Sequence, residues 1–91
     1  MGSEAVVAVP SSVTCANAPE VLRALSSAAA LSLDLAPCQS FDSSLIAVLL
    51  ELRRRAAQAA AEPLRVLNPP PNLRKLAALY GVDGILFDER N

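Results

Sequence analysis

Leu31-Ser32-Leu33-Asp34-Leu35, followed after a short link by Phe41-Asp42-Ser43-Ser44-Leu45-Ile46-Ala47-Val48-Leu49-Leu50, is the stretch whose reading decides the fold. In its first part leucines alternate with Ser32 and Asp34, the two-residue period of a strand with one face on a core. Pro37 ends that strand, because it lacks the N–H that a ladder requires. In the second part Leu45, Leu49, Leu52 and Ala56 fall on one helical face, so a helix is predicted from about Ser43 to Ala61, stopped by Pro63. A strand that feeds a helix across a short loop is the repeating unit of α/β domains.

Both flanks extend the same alternation. Ala5-Val6-Val7-Ala8-Val9 and Val13-Thr14-Cys15 read as two short strands around Pro10-Ser11-Ser12. Asn17 is a candidate N-cap, with Pro19 in the first turn and Glu20 three residues on, and a helix is expected from Ala18 to Ala28. On the other side Leu64-Arg65-Val66-Leu67 reads as the next parallel strand. Asn68-Pro69-Pro70-Pro71 cannot continue it, but Pro suits the first turn of a helix. Leu73, Leu76, Ala77 and Tyr80 form that helix's apolar stripe, and Gly81 suits a left-handed cap. Ile85-Leu86-Phe87 is expected to be a final strand. The predicted order is β-β-α-β-α-β-α-β in one mixed sheet with right-handed crossovers, a single α/β domain over 1–91 with its core over about 5–87.

Composition narrows the chemistry. The 91 residues support one two-layer core. A net charge of −1 gives no electrostatic reason for a nucleic acid or an anionic membrane surface as partner, and 3% aromatic residues leave no platform for stacking bases. With no His, the chain lacks the commonest general base and the commonest transition-metal ligand. Gly2, Gly81 and Gly84 are the only glycines, so no phosphate-cradling loop exists. Nothing places Lys75, the only lysine, beside Ser43 or Ser44 to activate them. No enzymatic activity, metal or cofactor is expected. Cys15 and Cys38 have no CxxC spacing and are expected to be reduced and mostly buried. The longest apolar run, Leu45 to Leu50, is too short to cross a bilayer, and the expected location is the cytoplasm.

The informative local feature is Asp42-Ser43-Ser44 at the start of the apolar helix. A helix N-terminus concentrates unpaired N–H groups and positive dipole, so a phosphate on Ser43 would be electrostatically favoured there. Asp42 as a plain cap with Ser43 as first-turn filler explains the same residues. The run Leu45 to Leu50 is apolar on every side; either the helix is wedged between sheet and neighbour, or part of its N-terminal end faces a partner. Arg53-Arg54-Arg55 reads as a solvated basic face, with Glu51 and Arg55 at the favourable i,i+4 spacing, though these arginines could also meet carboxylates of a partner.

The strand 31–35, the Phe41-Asp42-Ser43-Ser44-Leu45 helix start and Val66-Leu67-Asn68-Pro69-Pro70 together resemble the STAS domain found in anti-sigma-factor antagonists and related bacterial modules. Residues 68–82, from Asn68-Pro69-Pro70-Pro71-Asn72 to Tyr80-Gly81-Val82, resemble the MlaB branch of that family. The resemblance implies a non-catalytic cytoplasmic subunit, peripheral to the inner membrane, that docks on the ATP-binding subunit MlaF of the MlaFEDB phospholipid transporter and supports outer-membrane lipid asymmetry. It further implies a partner-binding surface made of Asp42, Ser43, Ser44, Leu45, Pro70 and Asn72, with Ser43 at the position phosphorylated in the antagonists. Those antagonists usually carry Gly where this chain has Leu45. That departure favours a permanent apolar docking surface over the alternative, a serine-phosphorylation switch.

Overall fold

The computed structural model describes residues 6–28, 32–58 and 64–87. The expected strand starts at Ala5 and Leu31, the helix end near Ala61 and the Pro63 stop lie outside the described residues. Strands β1 (Val6–Ala8), β3 (Ser32–Asp34) and β5 (Arg65–Leu67) form one sheet in the order β1-β3-β5, with β3 central. Val7 and Val66 lie opposite Leu33 on its two sides, and both pairings are parallel. Leu33 and Leu35 are buried as the leucine alternation predicts, but Ser32, which points to the other face, is only 1% exposed. Both faces of the central strand are therefore covered, as befits a parallel sheet.

A second, two-stranded ladder joins β2 (Ser12–Val13) to β4 (Ser40–Phe41), again in parallel. Every ladder among the described residues is parallel, which corrects the expected single mixed sheet. The sequence reading missed β4 because two residues beside Pro37 carry no periodicity, and pairing to Val13 alone makes them a strand.

Helix α1 (Ala18–Ala28) has the predicted bounds. Asn17 stands at its N-cap position, its carbonyl accepting the Val21 N–H at 3.0 Å. Its side chain, however, turns back: Oδ1 accepts from the Thr14 N–H at 2.9 Å and Nδ2 donates to the Ser12 carbonyl at 2.9 Å. Asn17 thus braces the loop from β2 into α1. Helix α2 (Ser43–Gln58) buries Leu45, Ile46, Val48, Leu49 and Leu52, leaving Ala47 exposed and Leu50 half-buried. Of the two readings of its all-round apolar start, the wedged helix is the one observed.

Helix α1 packs on α2. Arg55 Nη1 donates to Ser26 Oγ at 2.9 Å near the far ends of the two helices. The expected Glu51–Arg55 pair forms at 2.7 Å, and Arg54 joins it. Hydrogen bonds from Arg54 and then Arg55 hold the Glu51 carboxyl down from 4.5 to about 2. A depressed carboxylate pKa adds stability above the unfolded value, and that increment is lost as pH falls through the folded one. We expect Glu51→Gln to lower the Tm at neutral pH by on the order of 2 °C, as suits an exposed pair. The gap between wild type and variant should close between pH 4.5 and 2 in a series of thermal melts; a constant gap would contradict the ion-pair account.

Helix α3 (Pro71–Leu79) starts from Pro70, extended at φ −63° and ψ 147°, and buries Leu73 and Ala77. Its end is as read: Gly81 adopts φ +73°, and the Val82 and Gly81 N–H groups reach the Ala77 and Ala78 carbonyls at 3.0 Å. This is the paired closure of a Schellman motif.

The expected final strand Ile85-Leu86-Phe87 is instead part of a helical turn, α4 (Asp83–Leu86), packed on α3. Leu86 and Phe87 point inward at 4% and 8% exposure while Ile85 is 47% exposed, a pattern that two-residue alternation cannot produce. The Val82 carbonyl, freed at the end of the Schellman turn, accepts from the Ile85 and Leu86 N–H groups and restarts a helix at once. Three apolar residues fit either period, and burial against α3 decides between them.

Candidate functional site

The β2–β4 ladder sets the start of α2 beside the loop into α1. Val13 lies opposite Phe41, and the next backbone N–H, that of Asp42, donates to the Val13 carbonyl at 3.3 Å. From there the two carboxylate oxygens of Asp42 diverge. Oδ1 accepts from the Ser44 N–H at 2.8 Å, the geometry of an N-cap, and Oδ2 accepts from the Cys15 N–H at 3.2 Å. One side chain therefore both caps α2 and ties the β2–α1 loop to it. The bond from the Ser44 amide is the main cause holding the Asp42 carboxyl below its ordinary value, with burial opposing it.

Ser43 occupies the first helical position and is exposed, whereas Ser44 is half-buried. Leu45 is fully buried in the core. The expectation that Leu45 is a docking residue is thereby corrected: in the first turn of α2 the stripe that faces the core begins with Leu45, so its side chain serves this chain's own packing. Its bulk also does not shield Ser43.

Pro70 and Asn72 lie at the start of α3. An open depression of about 590 Å³ is lined by Ala36, Cys38, Gln39, Phe41, Asn68, Pro69, Pro70, Pro71 and Asn72. Phe41, the residue before the cap, lines this depression together with Pro70 and Asn72. Ser43 and Ser44 are not among the lining residues. The depression carries no charged side chain and therefore presents apolar and amide surface.

Its walls are held by a contact that sequence reasoning missed. Asn68 Nδ2 donates to Asp34 Oδ1 at 3.0 Å, and the same oxygen accepts from the Ala36 N–H at 3.0 Å. The Asn68 bond, then the Ala36 bond, lowers the Asp34 pKa. The loop after β3 and the loop after β5 are thus pinned together at one end of the sheet. Asn68 achieves this at φ 55°, a left-handed conformation that Asn tolerates better than most side chains. An Asn directly before a proline run, with an Asp at the end of the preceding parallel strand, was the available signal.

The cysteines divide. Cys38 is buried in the wall of the depression, and burial raises its thiol pKa. Cys15 is exposed, which corrects the expectation that both are mostly buried. It sits in the turn into α1, where its backbone, not its side chain, is engaged. Among the described residues no cluster of His, Cys, Asp or Glu could hold a metal ion, and no helix is long and apolar enough to cross a membrane.

No curated protein and no solved structure matches the chain. The family model for the MlaB STAS domain does match, over residues 1–87, and so covers both the parallel sheet and the Asp42-capped helix. On that match the chain belongs to the MlaB-type family of STAS domains.

Proposed function

We propose that this chain is a non-catalytic accessory subunit of an ABC transporter, docking on the ATPase MlaF within an MlaFEDB-type phospholipid transporter, in the cytoplasm and peripheral to the inner membrane. The observation that carries this reading is the family match over 1–87. The geometry supports it in a second way. Ser43 is exposed at the start of its capped helix, and Pro70 and Asn72, at the start of α3, line a shallow uncharged depression, surfaces suited to a protein partner. Asp42 contributes by fixing the surface, Ser43 by direct polar contact, and Ser44 by closing the cap.

One observation favours the rival reading, an anti-sigma-factor antagonist switched by phosphate on Ser43: Ser43 is exposed in the first turn of a long helix. Against it, Asp42 already places a carboxylate at that helix end, where a phosphate would meet like charge. Affinity purification of the tagged chain from solubilised native membranes separates the two. We expect recovery of an ABC ATPase with its permease; recovery of a serine kinase instead, with phosphate on Ser43 by mass spectrometry, overturns the subunit reading.

A further inference from the structure

Helices α1 and α2 are tied at both ends. Near their starts Asp42 Oδ2 holds the Cys15 N–H, and near their ends Arg55 Nη1 holds Ser26 Oγ. They therefore run in the same direction, side by side, with the Ser43 surface at one end of the seam. Along that seam lies a cleft of about 360 Å³ lined by Pro19, Leu22, Arg23, Ser26 and Arg55. Its apolar surface comes from Pro19 and Leu22, and guanidinium groups stand on both helices beside it.

Among the described residues, the charge in this cleft is only partly balanced: Arg55 pairs with Glu51, and Arg23 pairs with no carboxylate. Arg23 is exposed and has no hydrogen bond or ion pair among the described residues. Arg55 gives Nε to Glu51 and Nη1 to Ser26, and its Nη2 donors have no partner among the described residues. Glu51 is shared with Arg54, and the nearest carboxylate on α1 is the exposed Glu20, one turn before Arg23. A guanidinium fork with open donors matches a carboxylate in shape as well as in sign. A cleft that combines two such groups with the apolar surface of Pro19 and Leu22 fits a polypeptide segment that carries one acidic side chain among apolar ones.

We propose that the α1–α2 seam continues the docking surface and receives an Asp or Glu side chain of the ATPase between Arg23 and Arg55. The inference rests on the accessory-subunit reading, which supplies the partner. It adds an electrostatic contact, with a stated sign, to the uncharged surface at Ser43, Pro70 and Asn72.

The test is a binding titration of the purified full chain against the ATPase in its transporter complex, repeated across a salt series. Arg23→Glu is expected to weaken binding by roughly tenfold or more, and Arg23→Lys to keep most of it. Arg23→Ala should flatten the salt dependence of the affinity. Because Arg23 is exposed and unpaired among the described residues, melts of all three variants should match wild type; where Arg23→Glu does not, Arg23→Ala alone decides. Wild-type binding with unchanged affinity and salt slope in the variants overturns this inference and leaves the subunit reading standing. Failure of the wild-type chain to bind overturns both.

Discussion

Leu45→Ala lowers the unfolding free energy by about 3 kcal/mol and the Tm by roughly 15 °C. The side chain is fully buried within a continuous core that includes Val9, Val13, Leu33, Leu49 and Leu73. Removing its three outer carbons forfeits their transfer energy and leaves a void that a close-packed interior closes only in part. In a domain of this size such a loss is a large share of the total stability. The volume-conserving Leu45→Met should cost less than about 1.5 kcal/mol. It should also leave partner binding unchanged, since the side chain does not reach the surface. Chemical denaturation read by circular dichroism measures both variants. Near-wild-type stability for Leu45→Ala would mean that the side chain lies outside the core, and would return Leu45 to the docking surface.

Ser43→Arg produces the opposite pattern. The side chain is exposed at the first position of α2 and neither Asp42 bond depends on it, so stability should move by only about 0.5 kcal/mol. A cation at a helix N-terminus is mildly unfavourable, which fixes the sign of that change as destabilising. On the proposed docking, binding should fall by on the order of 100-fold, because a long charged side chain introduced into a packed interface clashes with the facing surface. Ser43→Ala removes one hydroxyl and should cost on the order of tenfold at most. Co-purification of the ATPase with each variant, alongside its melting curve, gives the comparison. Retained co-purification by a folded Ser43→Arg chain would place the contact elsewhere.

Much of this architecture is legible in the residues because local and tertiary preferences agree. The alternating leucines of 31–35, the stripe from Leu45 to Leu52 and the closure at Gly81 each have a period or a backbone requirement that only one element satisfies. The cap was equally readable: Asp42 accepts the Ser44 amide, as an acid just before a helix should.

What could not be read there depends on contacts between distant residues. The three apolar residues 85–87 carry no decisive period, and packing on α3 makes them a helical turn. The side chain of Asn17 had two sets of backbone partners within reach, and the β2–α1 loop won over the first turn of α1. Leu45 shows the limit most clearly. An all-round apolar helix start does not say which side chains the sheet will cover, and only the finished core shows that Ala47 faces solvent while Leu45 does not. The Asp34–Asn68 bridge joins residues 34 positions apart, so the Asn before the proline run signals it only once the two parallel strands are known to pair.

The central claim is that this domain acts by binding an ABC ATPase through the surface around Ser43. Isothermal titration of the purified chain into the purified ATPase of its own cell tests it most directly. The account predicts saturable one-to-one association that disappears with Ser43→Arg. Absence of binding between two folded proteins, at concentrations well above those of any stable transporter subunit, would contradict it.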